Sequence, residues 1–227
     1  MAEVTPAVDQ SHGGKPKSDK VHPLYAYTVI VASTVLIFFV GILIGKNFFW
    51  ENWDRRAFAE RQLEIALEQV KADPKNPDKL VNLGWWYLRN GEYNKAVAEY
   101  QKAINLDSQH FPAYFNLGLA YMQVEKWDLA LDAFDRAILI QPRSYAPYLN
   151  KGIIYNHIGE YEKAIEELKK AYELNRGQAE IVYNIGYAYE KLGNIEEAIY
   201  QYQAALQFDP KYEEARKALQ RLQGRNQ

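Results

Sequence analysis

Four glycines of this chain, Gly84, Gly118, Gly152 and Gly186, stand 34 residues apart. Three residues beyond each lies a tyrosine: Tyr87, Tyr121, Tyr155 and Tyr189. Twelve beyond lies an alanine (Ala96, Ala130, Ala164, Ala198), and nineteen beyond lies another (Ala103, Ala137, Ala171, Ala205). Between the alanines sits a large side chain: Tyr100, Phe134, Leu168 or Tyr202. A period of this length holds two antiparallel helices and their turns. Small residues such as Gly84 and Ala96 let the paired helices approach, and Tyr87 and Tyr100 fill the space beside them. One such pair cannot bury its faces alone, so neighbouring pairs stack.

This pattern resembles the tetratricopeptide-repeat family over 77–110, 111–144, 145–178 and 179–212. The resemblance implies an all-α fold, an α-solenoid of four repeats plus flanking helices. Family repeats usually end in proline, as at Pro142 and Pro210; Ser108 and Arg176 take that place in the first and third repeats. Lys151 stands where the other repeats carry Leu83, Leu117 and Ile185. These departures are expected to weaken the local turn or helix contact. Residues 47–76 read as a connecting helix resembling half a repeat. An apolar stripe of Ala57, Leu63, Ala66, Leu67 and Val70 runs along it, and Pro74 and Pro77 end it. Residues 213–227 read as a capping helix and tail, with Ala215, Leu219 and Leu222 on its apolar face.

The N-terminal part has a different character. Residues 1–23 are polar and read as a disordered tail. No charge interrupts Leu24–Gly45, and at about 1.5 Å per residue a helix there is long enough for the hydrocarbon core of a bilayer. We assign 24–46 as a single transmembrane helix. A secretory signal would be shorter and followed by a small-residue cleavage site. Tyr25 and Tyr27 on one side, and Phe48, Phe49, Trp50 and Trp53 on the other, match the aromatic belts of a membrane interface. Lys and Arg are nearly balanced across the span, and a short leading tail favours an extracytoplasmic repeat domain. Gly41 and Gly45 have the G-x-x-x-G spacing of a helix dimer.

The family resemblance implies that the first helices of successive repeats line a concave groove. One row on that face is Asn82, Asn116, Asn150 and Asn184, whose amides could hydrogen-bond the backbone of an extended peptide. Beside it run Val81, Trp85, Phe115, Leu119, Leu149, Ile153, Tyr183 and Tyr187, expected to form an apolar groove if exposed. Some family members clamp carboxyl-terminal tails with Lys and Arg. The equivalent positions here hold Asp78, Val81, Asn82, Trp85 and Asn116, so that clamp is absent.

No catalytic constellation is visible. His12, His22, His110 and His157 do not share metal-ligand spacing, and the chain has no Cys. A net charge of -2 argues against nucleic acid as a partner. Gly91, Gly159 and Gly193 recur with the repeat at helix turns rather than in a phosphate loop. The sequence therefore predicts a membrane-tethered scaffold that binds a protein or peptide, without cofactor or catalysis; its resemblance to membrane-anchored members of the family implies a role in assembly of an envelope complex of the cytochrome-maturation, pilus or secretion type. The alternative is a self-associating structural protein with no separate client.

Overall fold

The computed structural model describes residues 50–224, with side chains from residue 57 onward. The tail at 1–23, the span assigned to 24–46, and Gly41 and Gly45 lie outside the described residues. Among the described residues there are ten helices and no strand. A long helix α1 (Trp50–Ala72) precedes four helix pairs. These are α2 (Pro77–Arg89) with α3 (Tyr93–Leu106), α4 (Phe111–Gln123) with α5 (Trp127–Ile140), α6 (Tyr145–Ile158) with α7 (Tyr161–Leu174), and α8 (Ala179–Lys191) with α9 (Ile195–Phe208). Helix α10 (Glu213–Gly224) follows. Among the described residues no helix is long and apolar enough to cross a membrane.

Local chemistry sets the helix ends. Asn76 caps α2, its side chain accepting from the backbone N–H groups of Asp78 and Lys79, and Pro77 opens the first turn. One period on, His110 caps α4 by accepting from Ala113 N–H through Nδ1. The turn at Ser108 does not lack support, contrary to expectation. Asp107 Oδ1 accepts from Gln109 N–H at 2.9 Å and holds the bend that proline would otherwise preset.

The turn inside each pair needs one residue with positive φ. Gly91, Gly159 and Gly193 fill it at +77°, +84° and +82°, but the second repeat places Glu125 there at +56°. A side chain in this region costs about 1–2 kcal/mol, against the roughly 0.5–1 kcal/mol of extra unfolded-state entropy a glycine loses. Glu125→Gly is therefore expected to stabilise the protein by about 0.5–1 kcal/mol, read as a higher urea midpoint with an unchanged slope.

The packing rationale of the period is visible at Gly118. A Cβ added there would lie 2.6 Å from the Phe134 ring, which is fully buried. Gly84 meets Tyr100 in the same way, Gly152 meets Leu168, and Gly186 meets Tyr202. The glycine is thus the socket for the large residue of the partner helix. One apolar core joins α2 to α5 through Leu80, Tyr100 and Leu117, and a second joins α6 to α8 through Leu149, Leu168 and Ile181. Only a small cluster of Ala130, Phe134 and Ile154 forms the buried apolar seam between α5 and α6.

Lys151 lies at that seam, 8% exposed. Its ammonium reaches Asp135 on α5 at 2.7 Å and Glu167 on α7 at 3.3 Å. Burial works to lower its pKa, but the hydrogen bond to Asp135 and the charge of Glu167 outweigh it and hold the lysine above its ordinary value. The expected weak contact is in fact an ionic tie between two repeats.

Burial also pushes up the hydroxyls of Tyr100 and Tyr202, and that of Tyr212 to about 12. Tyr202 additionally donates to Glu190 at 2.8 Å, whereas buried Tyr100 has no partner for its hydroxyl. A raised folded-state pKa means that the folded chain keeps its proton longer than the unfolded one. The resulting stability is complete below about pH 10 and is lost as pH rises through the folded values. Urea midpoints are expected to hold flat from neutral pH and fall above about pH 10. The Tyr100→Phe/Tyr202→Phe protein should show a shallower fall.

Candidate binding groove

The asparagine row and the apolar row share one geometric origin. The asparagines occupy one fixed phase of α2, α4, α6 and α8, the first helices of the pairs, and the apolar row occupies two. Within pairs of repeats these helices touch directly, α2 with α4 and α6 with α8.

Three of the four amides are oriented by their own helix. Asn116 donates to Pro112 O at 2.7 Å, Asn150 to Ala146 O at 2.8 Å and Asn184 to Glu180 O at 2.8 Å. Asn82 differs, reaching Gln69 Oε1 on α1 at 3.4 Å. Among the described residues no Oδ1 of the row accepts a hydrogen bond from the protein. The row therefore presents acceptors, and a ligand must bring donors such as backbone N–H groups.

The apolar row divides by side-chain length. Trp85 is exposed, and Phe115, Leu119, Ile153, Tyr183 and Tyr187 are half-buried. Val81 and Leu149 are buried, at 9% and 7% exposure, and belong to the two large cores. They are not groove surface. Val81, Phe115, Leu149 and Tyr183 share one phase, but only the rings extend beyond the helix seam in which the short branched chains end. Phe115 stacks on Phe111 with centroids 5.8 Å apart, and Tyr183 contacts Tyr202 at 5.6 Å and Tyr212 at 5.3 Å. Burial raises the Tyr183 hydroxyl pKa.

Several residues of this face escaped the sequence reading. Arg89 lies over the Trp85 ring at 5.3 Å, and Lys191 over the Tyr187 ring at 5.2 Å. Their i, i+4 spacing from the aromatics was the available signal. Glu190, beside the last groove position, accepts from Arg221 of α10 at 2.6 and 2.7 Å and from Tyr202. Helix α10 is thereby tied across the end of the array. At the other end Phe58 of α1 meets Trp86 edge-on at 6.2 Å, and Trp86 meets Trp85 at 4.6 Å.

Asp78, at one of the former clamp positions, is bonded to His110 Nε2 at 3.0 Å. His157 packs on Trp127 with ring centroids 4.5 Å apart. Among the described residues no group of three or more His, Asp or Glu side chains could hold a metal ion.

Comparison with known proteins matches three family models to this chain. One described as a TPR repeat matches 86–125, and two described as tetratricopeptide repeats match 117–182 and 179–212. Together they run without a gap from residue 86 to 212. No curated protein sequence matches. Among solved structures, a crystal structure of MamA is 29% identical, with 72% of this chain and 95% of that chain covered and a TM-score of 0.63. YrrB, described as a TPR protein with an unusual peptide-binding site, is 21% identical, with 74% and 87% covered and a TM-score of 0.60. TTC0263, a thermophilic TPR protein of Thermus thermophilus, is 24% identical, with 75% and 93% covered and a TM-score of 0.61. The last two likenesses show the fold alone.

Proposed function

The chain belongs to the tetratricopeptide-repeat family, and on that premise we propose that it is a non-catalytic scaffold whose groove takes an extended peptide segment of a partner protein. One observation carries this reading. Trp85, Leu119, Ile153 and Tyr187, at one phase of four successive first helices, all keep exposed surface beside a row of asparagines whose acceptors are unengaged. Apolar side chains supply non-directional affinity, and the acceptors can read a peptide backbone without demanding particular residues. The reported peptide-binding site of YrrB, a protein of the same fold, agrees with this use.

We further propose that the helix assigned to 24–46, charge-free from Leu24 to Gly45, tethers the scaffold in a membrane, with the repeats on the extracytoplasmic side. Such a placement suits assembly of an envelope complex of the cytochrome-maturation, pilus or secretion type. A dimer through Gly41 and Gly45 would be compatible with that tether.

Affinity capture with the full chain from detergent-solubilised membranes tests the scaffold reading. A distinct partner should be recovered, and Asn116→Ala/Asn150→Ala should reduce its recovery at least several-fold while leaving the thermal midpoint close to that of the parent. Recovery of the protein alone would reject the scaffold and favour self-association. Protease treatment of intact cells tests topology: repeats that stay protected there but are cut in lysates contradict the extracytoplasmic placement.

A further inference from the structure

The groove's two ends carry a feature that its middle lacks. In the first and fourth repeats an aromatic of the apolar row has a cation stacked on it one turn later: Arg89 on Trp85 and Lys191 on Tyr187. The same two phases in the second and third repeats hold Leu119 with Gln123 and Ile153 with His157. No acidic residue occupies this row in any repeat.

The cations are also available. Two other lysines lie over tyrosines, Lys95 over Tyr87 and Lys163 over Tyr155, but each is already paired with a carboxylate, Glu92 and Glu160 respectively. Among the described residues neither Arg89 nor Lys191 has a carboxylate within ion-pairing distance. Glu190, next to Lys191, is taken by Arg221 and Tyr202. The opposite ends of the same two helices carry Asp78 and Glu180, and Asp78 is held by His110. Helix dipoles favour a base in any last turn, but they do not place a groove aromatic beneath it.

Building on the peptide-binding reading above, we propose that the groove selects an extended segment with an apolar centre and an acidic side chain at each end, one for Arg89 and one for Lys191. First helices that touch directly pack at about 8–10 Å, and the looser α4–α6 step is no shorter, so three steps span at least roughly 25–30 Å. Extended chain rises about 3.3 Å per residue, which sets the two acids at least about seven to nine residues apart. The apolar centre lies against Leu119 and Ile153, and the ring beneath each cation holds it in place for its carboxylate.

Fluorescence anisotropy with the full chain in detergent tests this. The probes are two labelled peptides with the same centre of about eight Val, Thr and Ile residues, one flanked by glutamates and the other by lysines. Each exposed ion pair contributes up to about fivefold in affinity, so the acidic peptide should bind about tenfold or more tightly than the basic one. The preference should shrink in high salt. In Arg89→Gln/Lys191→Gln it should fall below about twofold, with the thermal midpoint retained, since exposed charges contribute little to folding. Trp85→Ala should weaken both peptides alike. Equal binding of the two peptides, or a preference that survives the double variant, overturns the proposal; if Trp85→Ala still weakens both, the peptide groove itself stands. Binding of neither peptide overturns the end-charge proposal and the groove reading together.

Discussion

Lys151→Ala is expected to destabilise the protein by about 3–5 kcal/mol, because it leaves the carboxylate of Glu167 buried without its cation. Glu167 is only 12% exposed at its side chain, and its Oε2 already lacks a hydrogen-bond partner. Lys170, at 3.4 Å from the other oxygen and 45% exposed, is a poor substitute. For a chain of this size each kcal/mol lowers the melting midpoint by about 2–4 °C, so calorimetry should show a drop of about 10 °C. The complementary variant, Lys151→Leu/Glu167→Gln, should be at least as stable as the parent. It restores at this position the aliphatic residue that Leu83 and Leu117 represent elsewhere and removes the buried charge. A loss below about 1 kcal/mol for Lys151→Ala would show that Asp135, Lys151 and Glu167 do not tie the second repeat to the third.

Phe134→Ala should cost a similar amount, about 3–5 kcal/mol, by opening a cavity against Gly118. The Phe134 ring is fully buried and also contacts Phe115 of the groove at a centroid distance of 5.8 Å. The pairing of socket and ring makes a sharper test possible. Gly118→Ala alone should cost about 1–3 kcal/mol by overpacking against the ring. In the Phe134→Ala background the added methyl enters the cavity, and most of that cost should vanish. The coupling in this double-mutant cycle, measured by urea unfolding, should therefore exceed about 1 kcal/mol. Additive losses would mean that Gly118 recurs in phase for some reason other than the approach of Phe134's helix.

The helical-repeat fold was legible because its determinants are local and repeated. Gly118 and Phe134 sit 16 residues apart, as do their counterparts in every period, on the two helices of a single pair, so the phase alone places one against the other. The groove was less legible. Its rows could be laid out by phase, yet Val81 and Leu149 were placed on its surface when they lie in the cores. Their phase is the same as that of Phe115 and Tyr183; what differs is how far each side chain reaches past the seam. The spacing of Arg89 and Lys191 from Trp85 and Tyr187 places each cation beside its ring, but only the folded helices show the rings covered by them. The charge-free run at 24–45 is a property of composition alone, outside the described residues.

What the sequence by itself determined is the period, the family, the pairing of helices and the phase of each side chain, since these follow from spacings within one pair. What only the tertiary structure decided is depth and partnership. Lys151 looked like a defect until two carboxylates were found beside it, each 16 residues away on a different helix. Glu190 is held by Arg221, 31 residues later, a pairing that no spacing within its own repeat contains. Burial and charge pairing are sums over helices from neighbouring repeats, and no spacing within a single repeat contains that sum.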